Sequence, residues 1–124
     1  MGLARTVAAV FGAVYLLVGI LGFVLVPGGE GDLLGLFPVN ALHNIVHVLL
    51  GAILLYGSMS FAAAVQTTRG VGAVLIILGI LGLIAPDGFG LVPLGGNDIW
   101  LHLASGAILL ATGFMATDDA AATV

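Results

Sequence analysis

The sequence predicts an all-α membrane protein with four transmembrane helices, built from two parallel helical-hairpin repeats. Two observations lead to this prediction: the composition of the chain and an internal repeat. Apolar residues make up 61% of the 124 residues, charged residues make up only 6%, and the mean hydropathy is +1.32. A soluble domain carries about a quarter charged residues, so this chain could not cover its surface in water. We therefore expect it to lie in a lipid bilayer as a single domain over residues 1–124.

Four apolar stretches predict the helices. They cover roughly residues 6–26, 41–65, 70–85 and 99–116. A helix needs about 20 residues to span a bilayer, with a range of about 17–25. The third stretch is the shortest, and it is expected to take its first turn from Thr68 and Arg69.

The repeat appears at a constant offset of 55 residues, where segment 35–55 reads GLFPVNALHNIVHVLLGAILL and segment 90–110 reads GLVPLGGNDIWLHLASGAILL. The equivalent pairs include His47 and His102, Gly51 and Gly106, and His43 and Asp98. We place repeat 1 at about residues 1–65 and repeat 2 at about residues 66–124. Two parallel units of this kind are related by a pseudo-twofold axis along the membrane normal.

The few basic residues predict the orientation. Arg5 precedes the first helix, and Arg69 is assigned to the loop between the second and third helices. The other two loops, around residues 27–40 and 86–98, contain no lysine or arginine. Because basic loops stay inside, we expect a multi-pass protein of the cell membrane with both termini in the cytoplasm.

The composition also excludes several functions. Cysteine is absent, so disulfides and thiolate metal sites are ruled out. Lysine is absent, which rules out Schiff-base chemistry. The net charge of −4 argues against a nucleic-acid partner. The expected partners are the lipid bilayer and, because 20 glycines favour close helix packing, a homo-oligomer or a larger membrane complex.

One candidate site stands out, formed by two helical stripes with the same spacing: His43, His47 and Gly51 on helix 2, and Asp98, His102 and Gly106 on helix 4. Residues four apart share a helix face, and glycine lets membrane helices approach closely. We therefore expect the stripes to face each other near the pseudo-axis, toward the outer end. Three asparagines flank them: Asn40 and Asn97 are predicted N-caps, and Asn44 follows His43.

The leading interpretation of this cluster is structural. The chain would be a small non-enzymatic protein, acting as an accessory, scaffold or binding subunit without a cofactor. Its polar side chains would join helices 2 and 4 near the outer face, with His43 and Asp98 as a charge-assisted pair. Leucine at position 47 or 102 would then leave Asp98 or an asparagine without a partner.

The alternative interpretation is ligand binding. His43, His47, Asp98 and His102 have the nitrogen and oxygen donors that suit a divalent transition metal ion. In a second version His47 and His102 are the axial ligands of haem b, and the two stripe glycines make room for the porphyrin. Either version would make the chain a redox or metal-handling protein.

The segments GLFPVNALHNIVH and NDIWLHL resemble a prokaryotic membrane-protein family catalogued as domain of unknown function 4383. The most specific parts are PVNALHN at residues 38–44, continuing to His47, and the later segment 97–102. The resemblance covers almost the whole chain. It implies a four-helix integral membrane protein and brings no established reaction, ligand or partner.

Overall fold

Four helices dominate the structure, a computed structural model that describes residues 2–117. They are α1 (Leu3–Val24), α2 (Ala41–Gly57), α3 (Phe61–Ile84) and α4 (Asn97–Met115). Of these, α1, α3 and α4 are long and apolar enough to cross a membrane, whereas α2 has 17 residues. The chain therefore has the helices of a multi-pass membrane protein, as its composition predicted.

The connection between α2 and α3 lies earlier than predicted. At the end of α2 the Ser58 hydroxyl donates to the carbonyl oxygen of Leu55 at 2.6 Å. Ser60 is the N-cap of α3, and its hydroxyl accepts from the backbone N–H of Ala63 at 3.2 Å. The predicted limits of the second and third helices are therefore wrong, and the second helix is the short one. The predicted boundary between the repeats, at about residue 65, falls inside α3.

Both arginines lie at the same end of the molecule. Arg69 is not in a loop, because it belongs to the third turn of α3. Its Nε donates to the carbonyl oxygen of Gly113 at 2.8 Å, and its guanidinium lies 4.2 Å from the centroid of the Phe114 ring. Nε of Arg5 donates to the carbonyl oxygen of Ser58 at 2.7 Å. The two cations thus bind backbone carbonyls where α2 and α4 end.

The helices associate as two close pairs, α1 with α2 and α3 with α4. Glycine allows this approach in both pairs. A Cβ on Gly12 would lie 2.8 Å from the backbone nitrogen of Leu55, and one on Gly72 would lie 2.9 Å from that of Leu110. The α1 and α3 helices also contact each other, which places α2 and α4 across the longer diagonal of the bundle. Leu54, Leu75 and Leu109 are fully buried in the centre.

The two stripe glycines do not face each other. A Cβ on Gly51 would lie 2.7 Å from the carbonyl oxygen of Gly12 in α1, and one on Gly106 would lie 2.8 Å from that of Gly72 in α3. Each glycine packs against its own partner helix, contrary to the expected contact between the stripes at this level.

A short β-hairpin, absent from the prediction, packs at the end of the bundle opposite the two arginines. Strands β1 (Gly31–Leu33) and β2 (Phe37–Val39) pair antiparallel. Leu33 and Val39 are buried against Val26, so one face of the hairpin is apolar and closes the bundle. Strands of three residues are too short to show the alternating pattern that predicts a strand.

A pair of hydrogen bonds links the segment between α1 and α2 to the segment between α3 and α4. Nδ2 of Asn40 donates to the carbonyl oxygen of Leu91 at 2.9 Å. Nδ2 of Asn97 donates to the carbonyl oxygen of Leu36 at 2.8 Å. Each half of the chain therefore fixes the loop of the other half.

Alanine at the packing glycines should separate the helix pairs. We expect Gly51→Ala and Gly106→Ala each to destabilise the protein by about 1–3 kcal/mol, because the new methyl group meets backbone that cannot move aside. Gly70→Ala is the matched control, since a Cβ there meets no atom within 4 Å. Unfolding in mixed detergent micelles, followed by circular dichroism, measures the difference. Equal loss of stability in all three variants would contradict this packing.

Candidate metal centre

The two helices that carry the polar stripes have different kinds of N-cap. Asn40 is the N-cap of α2, as predicted, and its Oδ1 accepts from the backbone N–H of His43 at 2.8 Å. The N-cap of α4 is Gly96, with φ 66° and ψ −136°, a backbone conformation that favours glycine. Asn97 is therefore already helical, and its predicted capping role is wrong. Its Oδ1 instead accepts from Nε1 of Trp100 at 3.0 Å.

Three histidine rings meet across the diagonal between α2 and α4. The ring centroids lie 4.4 Å apart for His43 and His47, 5.9 Å for His47 and His102, and 6.2 Å for His43 and His102. One nitrogen atom can be chosen from each ring so that the three atoms lie within 4.8 Å of one another. The three residues are only 1–3% exposed. The stripes thus converge through imidazoles rather than through glycines.

Asp98 lies beside this group. Its Oδ2 is 3.3 Å from Nε2 of His43, and its side chain is buried. Asp98 belongs to the first turn of α4, where the positive end of the helix dipole favours a carboxylate. The carboxylate therefore supplies negative charge directly next to one histidine.

The polar atoms of this cluster lack hydrogen bonds to the protein. All six ring nitrogens of the three histidines and both carboxylate oxygens of Asp98 are buried without a hydrogen-bond partner within residues 2–117. The contact between Asp98 and His43, at 3.3 Å, does not meet the geometry of a hydrogen bond. Most buried polar groups in proteins are hydrogen-bonded, and an unsatisfied one costs about 1–3 kcal/mol. These atoms are therefore free to bind a ligand.

The three asparagines do not join the histidines. Asn40 and Asn97 donate to the carbonyl oxygens of Leu91 and Leu36, and Nδ2 of Asn44 donates to the carbonyl oxygen of Gly29 at 3.2 Å. Of the seven candidate residues, the structure brings together His43, His47, Asp98 and His102 and directs the asparagines to loop carbonyls.

Tyr15 is a member of the site to which the sequence assigned no function. It is buried in α1, and its ring stacks on that of His47 with centroids 5.0 Å apart. The repeat gave no signal for it, because the equivalent stretch of α3 contains no aromatic residue.

The spaces next to the cluster suit an ion and not a porphyrin. A cavity of about 40 Å³ is lined by all three histidines, and one of about 150 Å³ lies between His43, His47 and the β-hairpin. Sites for ligands of drug size occupy about 300–1,000 Å³. The backbones of α1 and α3 fill the notches at Gly51 and Gly106, so these glycines leave no room for haem b.

Fold and site together define a multi-pass membrane protein with a buried trihistidine cluster at one end of its helices. A family model described as "Domain of unknown function (DUF4383)" matches residues 5–115. The chain belongs to that family, as the resemblance of its sequence predicted. No curated protein and no solved structure matches the chain.

The unpaired nitrogens reverse one expectation from the sequence. Because Asp98 and the asparagines do not bond to His47, His47→Leu removes no hydrogen bond. With metal removed by a chelator, we expect this variant to unfold at the same or a higher detergent fraction than the wild type.

His43→Leu is the matched variant one helical turn away. It should lose about 1–3 kcal/mol, because it leaves the buried carboxyl group of Asp98 without the imidazole that contacts it. The same unfolding measurement compares both variants. A larger loss for His47→Leu than for His43→Leu would restore the structural interpretation of the cluster.

Proposed function

We propose that this protein binds one divalent first-row metal ion, of which Zn²⁺ is the best match, through His43, His47 and His102. The observation that supports the proposal most is the set of buried, mutually close ring nitrogens without protein partners. Structural polar clusters satisfy their own hydrogen-bonding groups. This cluster leaves its donor atoms available.

The donor set favours a borderline ion. Imidazole suits zinc, copper, iron and nickel, whereas the soft thiolates that select Cu(I) are absent from the chain. Three nitrogens bound tetrahedrally at their usual distance from zinc lie about 3.4 Å apart. The present separations of up to 4.8 Å exceed that value by up to about 1.4 Å, and binding of the ion would have to draw the rings together by that amount.

Asp98 has a separate role in this proposal. Metal-binding histidines commonly donate their second ring N–H to a carboxylate, which fixes the tautomer and the ring orientation. If Nε2–H of His43 donates to Asp98 once the ion is bound, Nδ1 of His43 would be the ligand atom. The carboxylate also offsets part of the positive charge that the ion brings into a buried site.

The closed character of the site supports metal handling without enzymatic turnover. The four side chains are 1–3% exposed, and the flanking cavities are small and mostly apolar. A substrate larger than a few atoms could not reach the ion. We infer that the protein is a binding or accessory subunit that holds or passes the ion.

We further propose that all four helices cross the cell membrane as two hairpins related by a pseudo-twofold axis. The matching contacts of Gly12 and Gly72 support this symmetry. The reciprocal bonds to Leu36 and Leu91, which are equivalent residues of the repeat, support it as well. Association into a homo-oligomer or a larger complex stays a prediction.

Metal binding can be tested on protein purified without a histidine tag. We expect one Zn²⁺ or Co²⁺ per chain by elemental analysis after dialysis, with visible Co²⁺ absorption bands of tetrahedral intensity. His47→Gln and His102→Gln should lose the ion and the bands, because an amide is a poor substitute for imidazole. Since the chain has three histidines and no cysteine, these bands report this cluster alone.

Asn97→Ala serves as the control for the metal test, because its side chain bonds to the loop and not to the cluster. It should bind as the wild type does. An unloaded wild type, or full occupancy in His102→Gln, would refute the metal-binding function.

The orientation requires a separate test. Both termini are proposed to be cytoplasmic, which the common location of Arg5 and Arg69 at one end of the bundle supports. Residue 1 and residues 118–124 lie outside the described residues, so protease-cleavable tags at the two ends of the chain test them directly. In intact cells both tags should be protected. A tag inserted at Gly35, in the exposed hairpin turn, should be cleaved from outside. The reverse pattern would invert the topology.

A further inference from the structure

An open crevice separates the two outer loops. It has a volume of about 340 Å³, and its walls come from the β-hairpin segment and from the loop after α3. Three acidic residues line it: Glu30, Asp32 and Asp87. All three side chains are exposed, and both arginines lie at the opposite end of the bundle. The crevice is therefore strongly negative without a neutralising cation.

The crevice shares lining residues with the cavities at the histidine cluster. Val92 lines both the crevice and the 40 Å³ cavity that all three histidines share. Val39 lines both the crevice and the 150 Å³ cavity next to Asp98. The crevice and the cavities that contact the unpaired ring nitrogens therefore share walls at Val92 and Val39.

The width of the crevice is fixed by both halves of the chain. Asn40 lines it and donates across it to the carbonyl oxygen of Leu91, while Asn97 donates to that of Leu36. These bonds hold the acidic walls at a constant separation.

We propose that this crevice captures divalent cations from the outer side and delivers them past Val92 to the histidine centre. This inference rests on the metal-binding function proposed above and adds the route of entry. A cleft lined by one sign of charge raises the local concentration of the opposite ion and speeds association by about 10- to 1,000-fold. The effect falls steeply with ionic strength. Behind the acids, the unpaired nitrogens provide the final binding site.

The test is rapid mixing of tag-free protein with Co²⁺, followed by the visible absorption bands. The triple variant Glu30→Gln/Asp32→Asn/Asp87→Asn should bind Co²⁺ at least about 10-fold more slowly than the wild type at low ionic strength. The difference should disappear near 1 M salt, where charges are screened within about 3 Å. Final occupancy should remain one ion per chain. The control Glu30→Asp/Asp32→Glu/Asp87→Glu conserves all three charges and should bind at the wild-type rate.

Variants of Val92 test the route itself. Val92→Phe should slow association and dissociation of Co²⁺ by the same factor, leaving the affinity unchanged, whereas Val92→Ala should speed both. This symmetric effect identifies a barrier on the path, because a residue that merely supports the site would change the affinity.

The outcomes separate this inference from the metal-binding function. If the neutral triple variant fills its site at the wild-type rate in low salt, the crevice is not the entry route and the metal site stands. If the charge-conserving control is slowed as much as the neutral variant, the inference is likewise refuted. If the wild type binds no Co²⁺, the metal-binding function fails and the entry route with it.

Discussion

Close contact between glycine and the facing backbone, within each helix pair, is the constraint on which the rest of the structure depends. It draws α1 onto α2 and α3 onto α4. Within a bilayer, where water contributes no hydrophobic drive between helices, such van der Waals contact is a main source of association. As a consequence α2 and α4 end up across the wider diagonal. Imidazole rings are long enough to meet there, and they fill the space that the backbones leave between them.

The buried polar atoms of the cluster lower the stability of the folded protein, and no protein hydrogen bonds offset this loss. Eight buried polar atoms of three histidines and one aspartate are without hydrogen bonds to the protein. A ligand that binds only the folded state stabilises it, and more so at higher affinity and concentration. A bound ion would therefore restore part of the stability that is lost by burying these atoms. The glycine contacts determine where the helices lie. An ion bound by the proposed site would determine how firmly the histidine-bearing ends of α2 and α4 are held together.

Much of the architecture could be predicted from the sequence, for identifiable reasons. Hydrophobic length gave the number of helices, and the spacing of His43, His47 and His102 with the repeat predicted that they would meet. The limit between α2 and α3 was wrong, because Ser58 and Ser60 stop and restart the helix within an otherwise apolar stretch. The glycines were assigned to the wrong neighbour, since a spacing of four defines a stripe but not the helix that it faces. The hairpin and Tyr15 left no periodic signal. The unpaired state of the ring nitrogens is a property of three-dimensional arrangement that spacing does not encode.

The two loop-to-loop bonds have a consequence for the order of assembly. Each joins residues more than 50 positions apart, and together they link the first half of the chain to the second. A nascent chain that has inserted only α1 and α2 carries two of the three histidines and lacks the partner for Asn40. Neither the pair of bonds between the two loops nor the trihistidine group can be complete until α4 has joined the bundle. The trihistidine cluster is thus completed late in biogenesis. A chain that ends before α4 would contain only two of its three histidines.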